Sequence, residues 1–168
     1  MKLTTKSRYG TRMILDIAVN GTENPVPVSD IARRQNISLK YLEKLISKLK
    51  PGNILKSHRG PFGGQKLARP ASEITVGELV RLLENRGAIT DCAETDAKNC
   101  SECHQAGECI TQWVWIEASK AMFERLDSIT IESLLKKIDN EKIFRDNSLK
   151  HQPKTKHRSP IKKLRTSF

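Results

Sequence analysis

The amino-acid sequence predicts a mainly α-helical fold with one small β hairpin. Apolar residues recur at helical spacing in three successive segments of the first 50 residues. A glycine-rich stretch between two short strand-forming segments follows at 53–69, and helical spacing returns after Pro70. A chain of 168 residues has room for one domain with an appended element.

The first two helices are predicted from their apolar stripes and from the residues that end them. In the first segment, SRYGTRMILDIAVN, the stripe consists of Tyr9, Met13, Ile14, Ile17 and Ala18. Asn20-Gly21 is a typical helix end, and the helix-breaking sequence NPVP follows. The short second helix carries on one side Val28, Ile31 and Ala32.

A third helix, LKYLEKLISKLK, is predicted to begin after Ser38, whose hydroxyl can cap it, and to end at Pro51-Gly52. Its buried stripe consists of Leu42, Leu45, Ile46 and Leu49. Two short strands, around NILKS and QKLAR, then flank HRGPFGG, which indicates a hairpin with a flexible tip. Helix, short helix, turn, helix and hairpin is the order of a winged helix-turn-helix.

The outer face of the third helix is predicted to contact DNA, because cationic and hydrogen-bonding side chains there have no part in the core. These side chains are Lys40, Tyr41, Lys44, Ser47 and Lys48. The hairpin adds Lys56, His58 and Arg59 beside glycines that allow close approach to a groove. A solvated basic face is the alternative. Residues 1–70 carry 14 Lys and Arg against 4 Asp and Glu, which favours a polyanionic partner.

Beyond Pro70, ITVGELVRLLE predicts a helix capped by Thr75. The region 110–138 then carries apolar residues on more of the helix circumference than one small domain can bury. We therefore expect it to pair with a second copy of the chain, and a two-fold dimer binds two half-sites of a palindromic duplex. The last 22 residues carry seven Lys and Arg and no acidic residue, which indicates a disordered cationic tail.

All four cysteines lie in one polar loop, CAETDAKNCSECHQAGEC. The N-terminus lacks the apolar core of a signal peptide, and no apolar run is long enough for a bilayer, so we expect a cytoplasmic protein with reduced thiols. Thiolates bind iron and zinc well. One close pair, Cys100 and Cys103, with two separate cysteines, fits an iron–sulfur cluster better than structural zinc. A metal-free thiol switch is the remaining alternative.

The segments MKLTTKSRYG, VPVSDIARRQNISLKYLEKLISKLK, HRGPFGG and ITVGELVRLLE resemble the Rrf2 family of winged-helix regulators. The resemblance extends from residue 1 to about 138 and points to the IscR-like members. It implies a dimeric, DNA-binding transcription regulator, in many members controlled by an iron–sulfur cluster. On the recognition helix and wing, it assigns DNA contacts to Ser38, Lys40, Tyr41, Glu43, Lys44 and Arg59.

The same resemblance assigns three cluster ligands, Cys92, Cys103 and Cys109. IscR-like members place a fourth ligand, a histidine, three residues after the last cysteine, and here that position is Gln112. Because soft sulfur suits iron, we expect the additional cysteine, Cys100, to be the fourth ligand, with His104 as the alternative.

Together these patterns and the resemblance predict a homodimer that is not an enzyme and that regulates transcription, as a repressor. It would bind palindromic DNA under control of a cluster, [2Fe–2S] in preference to [4Fe–4S], that senses iron–sulfur status, redox state or nitric oxide. The alternatives are a cluster-free regulator that senses a metabolite or partner protein, a zinc-stabilised regulator, and a small redox protein or scaffold. The predicted units are a winged helix-turn-helix domain at 1–86, a cysteine-rich cluster-binding loop at 87–109, dimerisation helices at 110–139 and the basic tail at 140–168.

Overall fold

The computed structural model describes residues 3–94 and 109–141, with backbone only for 139–141. The helices are α1 (Thr5–Asn20), α2 (Val28–Gln35), α3 (Leu39–Leu49), α4 (Val76–Glu84), α5 (Ile110–Asp127) and α6 (Ile131–Glu141). The strands are β1 (Leu55–His58) and β2 (Gly64–Leu67), and short 3-10 turns span Lys50–Gly52 and Asp91–Ala93. The predicted fold class, mainly α with a small β wing, is confirmed.

Hydroxyl side chains cap the start of four helices, α1, α3, α4 and α6; in α6 the hydroxyl of Thr130 accepts from the amide of Ser133 at 3.1 Å. The hydroxyl of Thr4 accepts from the amide of Lys6, that of Ser38 from the amide of Tyr41, and that of Thr75 from the amide of Glu78. Each cap satisfies an amide that has no partner inside its helix. The predicted caps at Ser38 and Thr75 are therefore confirmed.

The core lies where α1, α3, α4 and α6 meet. The predicted stripe of α3 is buried; in that of α1, Met13, Ile14 and Ile17 are buried, whereas Tyr9 and Ala18 are half-buried against the core. The largest fully buried side chains include Met13, Ile14, Ile17, Leu42, Leu45, Leu49, Leu79 and Leu83. One charged group is buried among them: Asp16 accepts hydrogen bonds from the guanidinium of Arg34 at 2.6 Å and from the side-chain amide of Gln35 at 2.8 Å. Because a buried carboxylate is costly unless it is paired, these contacts fix α2 against α1.

The wing is a two-stranded antiparallel sheet in which Leu55 pairs with Leu67 and His58 with Gly64. Val26, just before α2, exchanges two backbone hydrogen bonds with Gln65, at 2.9 and 2.8 Å. The wing is thus joined by its inner edge to the start of the helix-turn-helix, and its outer end extends away from the core.

Residues 110–141 form two helices that differ in their surroundings. The chain turns at 128–130, where backbone hydrogen bonds join Val76 to Ile129 and Ile131 to Ile74. Ile131 is fully buried, and α6 packs its apolar side against the core, whereas α5 packs on α4 and on the 3-10 turn at 91–93. Within the described residues, no helix is long and apolar enough to cross a membrane.

Candidate nucleic-acid interface and cysteine site

The outward face of α3 displays exposed charged side chains close to its N-terminus. Lys40, Glu43 and Lys44 are all exposed, on the side opposite the buried leucine stripe. Lys48, which the sequence predicts to contact DNA on this face, instead donates from its ammonium group to the carbonyl oxygen of Leu83 at 2.9 Å. Lys48 therefore joins α3 to α4, and the cationic face is confined to the first half of α3.

Two other candidate DNA contacts have partners inside the protein. Ser38 is exposed but its hydroxyl caps α3. Tyr41 is half-buried, its ring packs edge-on against Tyr9 at 6.0 Å between centroids, and its hydroxyl lies 3.1 Å from that of Thr5. These contacts hold the first turn of α3 against α1, so the positions of Lys40 and Lys44 are fixed by the core.

The wing presents a second exposed basic surface. Lys56, His58 and Arg59 are exposed, and no acidic residue occurs between 55 and 67. The tip is closed by a hydrogen bond from the amide of Gly63 to the carbonyl oxygen of Gly60 at 2.9 Å. At this tip Phe62 is 90% exposed. Phe62 is not among the DNA contacts that the sequence predicts, because the prediction rests on the cations and glycines of HRGPFGG.

Two of the candidate metal ligands lie in the described residues, at the two ends of the cysteine loop. Cys92 lies in the 3-10 turn at 91–93, with its sulfur 3.3 Å from the hydroxyl of Thr90. Cys109 is the residue that precedes α5, with its sulfur 2.9 Å from the hydroxyl of Thr111. Cys100, Cys103 and His104 lie outside the described residues. Among the described residues no group of three metal-ligating side chains occurs.

The ends of the loop are held to α5 by polar contacts that spacing alone does not reveal. Gln112 is buried and its side-chain amide donates to the carbonyl oxygen of Cys92 at 2.6 Å. Seven residues further along α5, the hydroxyl of Ser119 accepts from the amide of Ile89 at 2.9 Å. The carboxylate of Glu94 accepts from two amides at 87–88, at 2.9 and 3.1 Å. Hydrogen bonds therefore hold the segment 87–94 in a defined conformation against α5.

The surroundings of Cys109 favour a thiolate. Its pKa is lowered from the ordinary value, first by the hydroxyl of Thr111 and then by the backbone amides of Gln112 and Thr111. Amides at the start of a helix have no partner inside it and stabilise negative charge there. Because iron and zinc bind the thiolate form, this donor chemistry fits a metal or cluster ligand.

A clasp joins the C-terminal end of α5 to α4. The guanidinium of Arg81 donates two parallel hydrogen bonds to the carboxylate of Asp127, at 2.8 and 2.7 Å, and it covers the ring of Phe123 at 4.2 Å from the centroid. The pKa of Asp127 is lowered and that of Arg81 raised, in each case mainly by these hydrogen bonds. A Cβ at Gly77 would collide with the carboxylate of Asp127, so a larger residue at this position would displace Asp127 from Arg81.

On α5, several large apolar side chains are not covered by any of the residues that the structure describes. Ile110 is 82% and Trp113 62% exposed, and Val114 and Trp115 are also exposed. Ile110, Trp113 and Val114 follow the i, i+3, i+4 spacing of one helix face. Contiguous exposed apolar patches of this kind mark interaction surfaces.

A helix-turn-helix with a basic outer face and a basic wing defines a DNA-binding protein of the winged-helix class. The family model Rrf2, described as an iron-dependent transcriptional regulator, matches residues 3–137. The chain therefore belongs to the Rrf2 family. It is a DNA-binding transcription regulator and not an enzyme.

Similar proteins extend over most of the chain. It is 47% identical to protein rrf2 of Nitratidesulfovibrio vulgaris, over 81% of this chain and 88% of the relative. It is 36% identical to the HTH-type transcriptional regulator IscR of Klebsiella pneumoniae, over 92% and 90%. Among solved structures, T. potens IscR matches with a TM-score of 0.64 and 36% identity, over 85% and 90% of the two chains. CymR, the global cysteine regulator of B. subtilis, matches with a TM-score of 0.63 and 32% identity, over 80% and 95%.

Proposed function

We propose that the chain is a cytoplasmic, homodimeric transcription regulator whose affinity for palindromic DNA is controlled by an iron–sulfur cluster, of the [2Fe–2S] type. The proposed ligands are Cys92, Cys103, Cys109 and Cys100. The proposed signal is the state of the cluster, altered by iron–sulfur supply, redox conditions or nitric oxide.

DNA recognition is assigned to α3 and the wing. Lys40, Glu43 and Lys44 are exposed on a helix whose other side is fully buried, so they can reach the edges of bases in a major groove without disturbing the core. Arg59, with Lys56 and His58, is exposed on a hairpin without acidic residues and suits a narrow, electronegative minor groove. Ser38 and Tyr41 are proposed to orient this face as well as to contact the backbone of DNA.

Dimerisation is assigned to α5. The other side of α5 packs on α4, and none of the described residues covers the exposed face that includes Ile110, Trp113 and Val114. A second copy presents the same face, so a two-fold pairing of α5 helices would bury it and place two recognition helices on two half-sites. Enrichment of tryptophan is typical of the centre of such interfaces.

The cysteine chemistry supports a cluster. Cys109 is biased toward thiolate, and Cys92 lies on a turn that Gln112 holds against the same helix. When bound, an iron–sulfur cluster supplies a redox-active and oxidant-sensitive group that is held by thiolates. The protein's own part is to present the thiolates, and to convert a change in how they are held into a movement of α5.

A series of contacts that connects the turn of Cys92 through α5 and α4 to α3 supports this proposal most directly. Gln112 joins the turn of Cys92 to the first turn of α5, and Asp127 joins the last turn of α5 to Arg81 of α4. Lys48 then joins α3 to the end of α4 through the carbonyl of Leu83. We propose these contacts as the route by which a change at the cysteine loop alters the placement of α3, as a ligand-controlled two-state regulator requires.

The test is anaerobic purification, followed by an absorption spectrum, iron and sulfide analysis, and DNA binding before and after removal of the cluster. The probe is a duplex selected in vitro by the protein from a randomised pool. The expected result is a brown protein with stoichiometric iron and sulfide, an inverted repeat in the selected duplex, and a change in affinity when the cluster is removed. A colourless protein that binds the same repeat with unaltered affinity under both treatments would contradict cluster control.

A regulator of another signal, without a cluster, is a second candidate, because the chain matches the cysteine regulator CymR over 80% of its length with a TM-score of 0.63, nearly as well as it matches T. potens IscR. The same experiment separates the two. Cluster control requires iron and sulfide together, zinc alone would indicate a stabilising metal, and a metal-free protein that binds the repeat would indicate a regulator of the second kind.

A further inference from the structure

The most exposed large apolar side chain described in the structure is at the tip of the wing. Phe62 is 90% exposed, whereas the other aromatic residues of the winged domain, Tyr9 and Tyr41, are half-buried and packed against each other. An isolated exposed apolar residue needs no explanation by itself. Phe62 differs from such an isolated residue because it lies in a closed turn of defined conformation.

The turn fixes the backbone from which this side chain projects. Residues 60–63 form a β-turn closed by the 2.9 Å hydrogen bond between the amide of Gly63 and the carbonyl oxygen of Gly60. Pro61 at its second position restricts the backbone to the φ that such turns use. Gly60 adopts a φ of 106°, and a Cβ at Gly63 would lie 2.6 Å from the carbonyl oxygen of His58, so both glycines are required. The turn therefore presents Phe62 on a preorganised support.

The electrostatic surroundings of Phe62 identify the kind of partner. On the same hairpin Lys56, His58 and Arg59 are exposed, and the sequence from 55 to 67 contains no carboxylate. A protein partner would need an acidic surface to match this positive charge, whereas every DNA duplex carries regularly spaced phosphate charges that attract it. Apolar side chains, phenylalanine among them, are used by minor-groove proteins as wedges between base steps.

We propose that Phe62 is a DNA-contacting residue that inserts into the minor groove beside Arg59 and partly unstacks one base step. This inference rests on the proposed assignment of the wing to DNA. Arg59 supplies the electrostatic attraction to the groove, and Phe62 supplies an uncharged contact whose strength depends on how easily the base step deforms. Flexible pyrimidine–purine steps should therefore be preferred at the position that faces the wing.

The test uses the full-length protein and the duplex that the wild-type protein selects from a randomised pool. Phe62→Ala is expected to weaken binding about 5- to 100-fold, as loss of an aromatic contact with bases does, and to leave the slope of log affinity against log salt unchanged. Arg59→Ala should weaken binding and also reduce that slope by about 1. Phe62→Leu, which keeps an apolar wedge, should retain most of the affinity.

The control is Val19→Ala, which truncates an exposed apolar side chain on α1 and leaves the hairpin that carries Phe62 unchanged. A 2-aminopurine base at the step facing the wing should gain fluorescence with wild-type protein and not with Phe62→Ala. If Phe62→Ala binds and reports like wild type, the inference is wrong while DNA recognition by α3 stands. If it changes the oligomeric state and not the affinity per dimer, the side chain belongs to an interface between copies. A wild-type protein that selects no sequence would contradict the proposed function itself.

Discussion

The side-chain amide of Gln112 donates a 2.6 Å hydrogen bond to the carbonyl oxygen of Cys92. Gln112 occupies the position, three residues after Cys109, where the resemblance to IscR-like regulators places a histidine ligand. Its amide nitrogen is a donor and has no free electron pair for a metal. In this chain the side-chain amide at this position holds the backbone of Cys92. Its oxygen is a hard donor that suits iron less well than sulfur does, so we expect the proposed cluster to take its fourth ligand elsewhere.

This tether can be removed with little change in side-chain volume. Gln112→Met is expected to lower the free energy of unfolding by about 1–3 kcal/mol, because the carbonyl of Cys92 loses a buried donor. Hydrogen exchange at 91–94 should also become faster. Denaturant unfolding and exchange measured by mass spectrometry check both effects. Gln35→Met, which removes a buried hydrogen bond to Asp16 in the winged domain, controls for the loss of stability alone, and it should not change exchange at 91–94.

The clasp between α4 and α5 predicts a pH dependence of stability. The pKa of Asp127 is lowered in the folded protein, first by hydrogen bonds from Arg81, so the unfolded chain binds this proton more tightly. The contribution is therefore present above the ordinary aspartate pKa of about 3.9 and is lost as the pH falls through the lower pKa of the folded state.

Asp127→Asn is accordingly expected to reduce stability at pH 7 by about 1 kcal/mol or less, since the pair is partly exposed to solvent. The difference between wild type and variant should shrink as the pH is lowered toward 3. Urea unfolding at a series of pH values measures it. Asp30→Asn, the same change in an exposed pair on α2, controls for the loss of one negative charge. A difference that grows on acidification would contradict the assigned role of Arg81.

Much of the winged domain could be predicted from local patterns. The buried stripe of α3 follows from the spacing of its leucines, and the caps at Ser38 and Thr75 follow from hydroxyl residues at helix starts. Such features depend on residues within one or two turns of each other, which the sequence displays directly.

Contacts between distant residues could not be predicted in the same way. Arg81 and Asp127 are 46 positions apart, and Lys48 and Leu83 are 35 apart. Lys48 follows the same spacing as Lys40 and Lys44, and only the packing of α4 against α3 decides that its ammonium group is used inside the protein. Similarly, the apolar character of 110–138 does not show that α6 packs on the core while α5 leaves its tryptophans exposed.

Lys44 and Lys48 provide a matched test of the recognition face. Lys44→Ala should weaken specific binding to the selected duplex by about 1–3 kcal/mol if the side chain reads a base. Lys48→Ala removes the same charge from the same helix but from a side chain bonded to the carbonyl of Leu83, so it should alter stability more than DNA affinity. Fluorescence anisotropy and thermal unfolding distinguish them. Equal losses of affinity in both variants would mean that only total charge matters.

The exposed face of α5 predicts a dimer that depends on its tryptophans. Trp113→Ala should weaken dimerisation by roughly 2 kcal/mol or more, which is a rise of roughly 30-fold or more in the dimer dissociation constant, as expected for a central aromatic anchor. Sedimentation velocity over a range of concentrations measures this change. Phe62→Ala, which also removes an exposed aromatic ring but from the wing, should leave the dimer intact. If Trp113→Ala sediments as wild type does, α5 is not the dimer contact.

The identity of the fourth ligand is the sharpest test of the cysteine site. A cluster held by Cys92, Cys103 and Cys109 needs one further donor, and Gln112 cannot supply a nitrogen lone pair. Cys100 supplies a soft sulfur three residues before Cys103. Cysteine pairs with this spacing bind one cluster in ferredoxin-type sequences. Alanine at Cys92, Cys103 or Cys109 should therefore abolish the visible absorption of the anaerobically purified protein.

Cys100→Ala should leave a labile cluster or one with a shifted spectrum, whereas His104→Ala should change little. Adding Gln112→His to Cys100→Ala supplies an imidazole at the position that IscR-like members use, and it should restore a stable cluster with a different spectrum, because a nitrogen ligand replaces a sulfur. Cluster lifetime in air and iron content per protomer measure the outcome. A Cys100→Ala protein with the spectrum and lifetime of wild type, together with bleaching in His104→Ala, would assign the fourth position to the histidine.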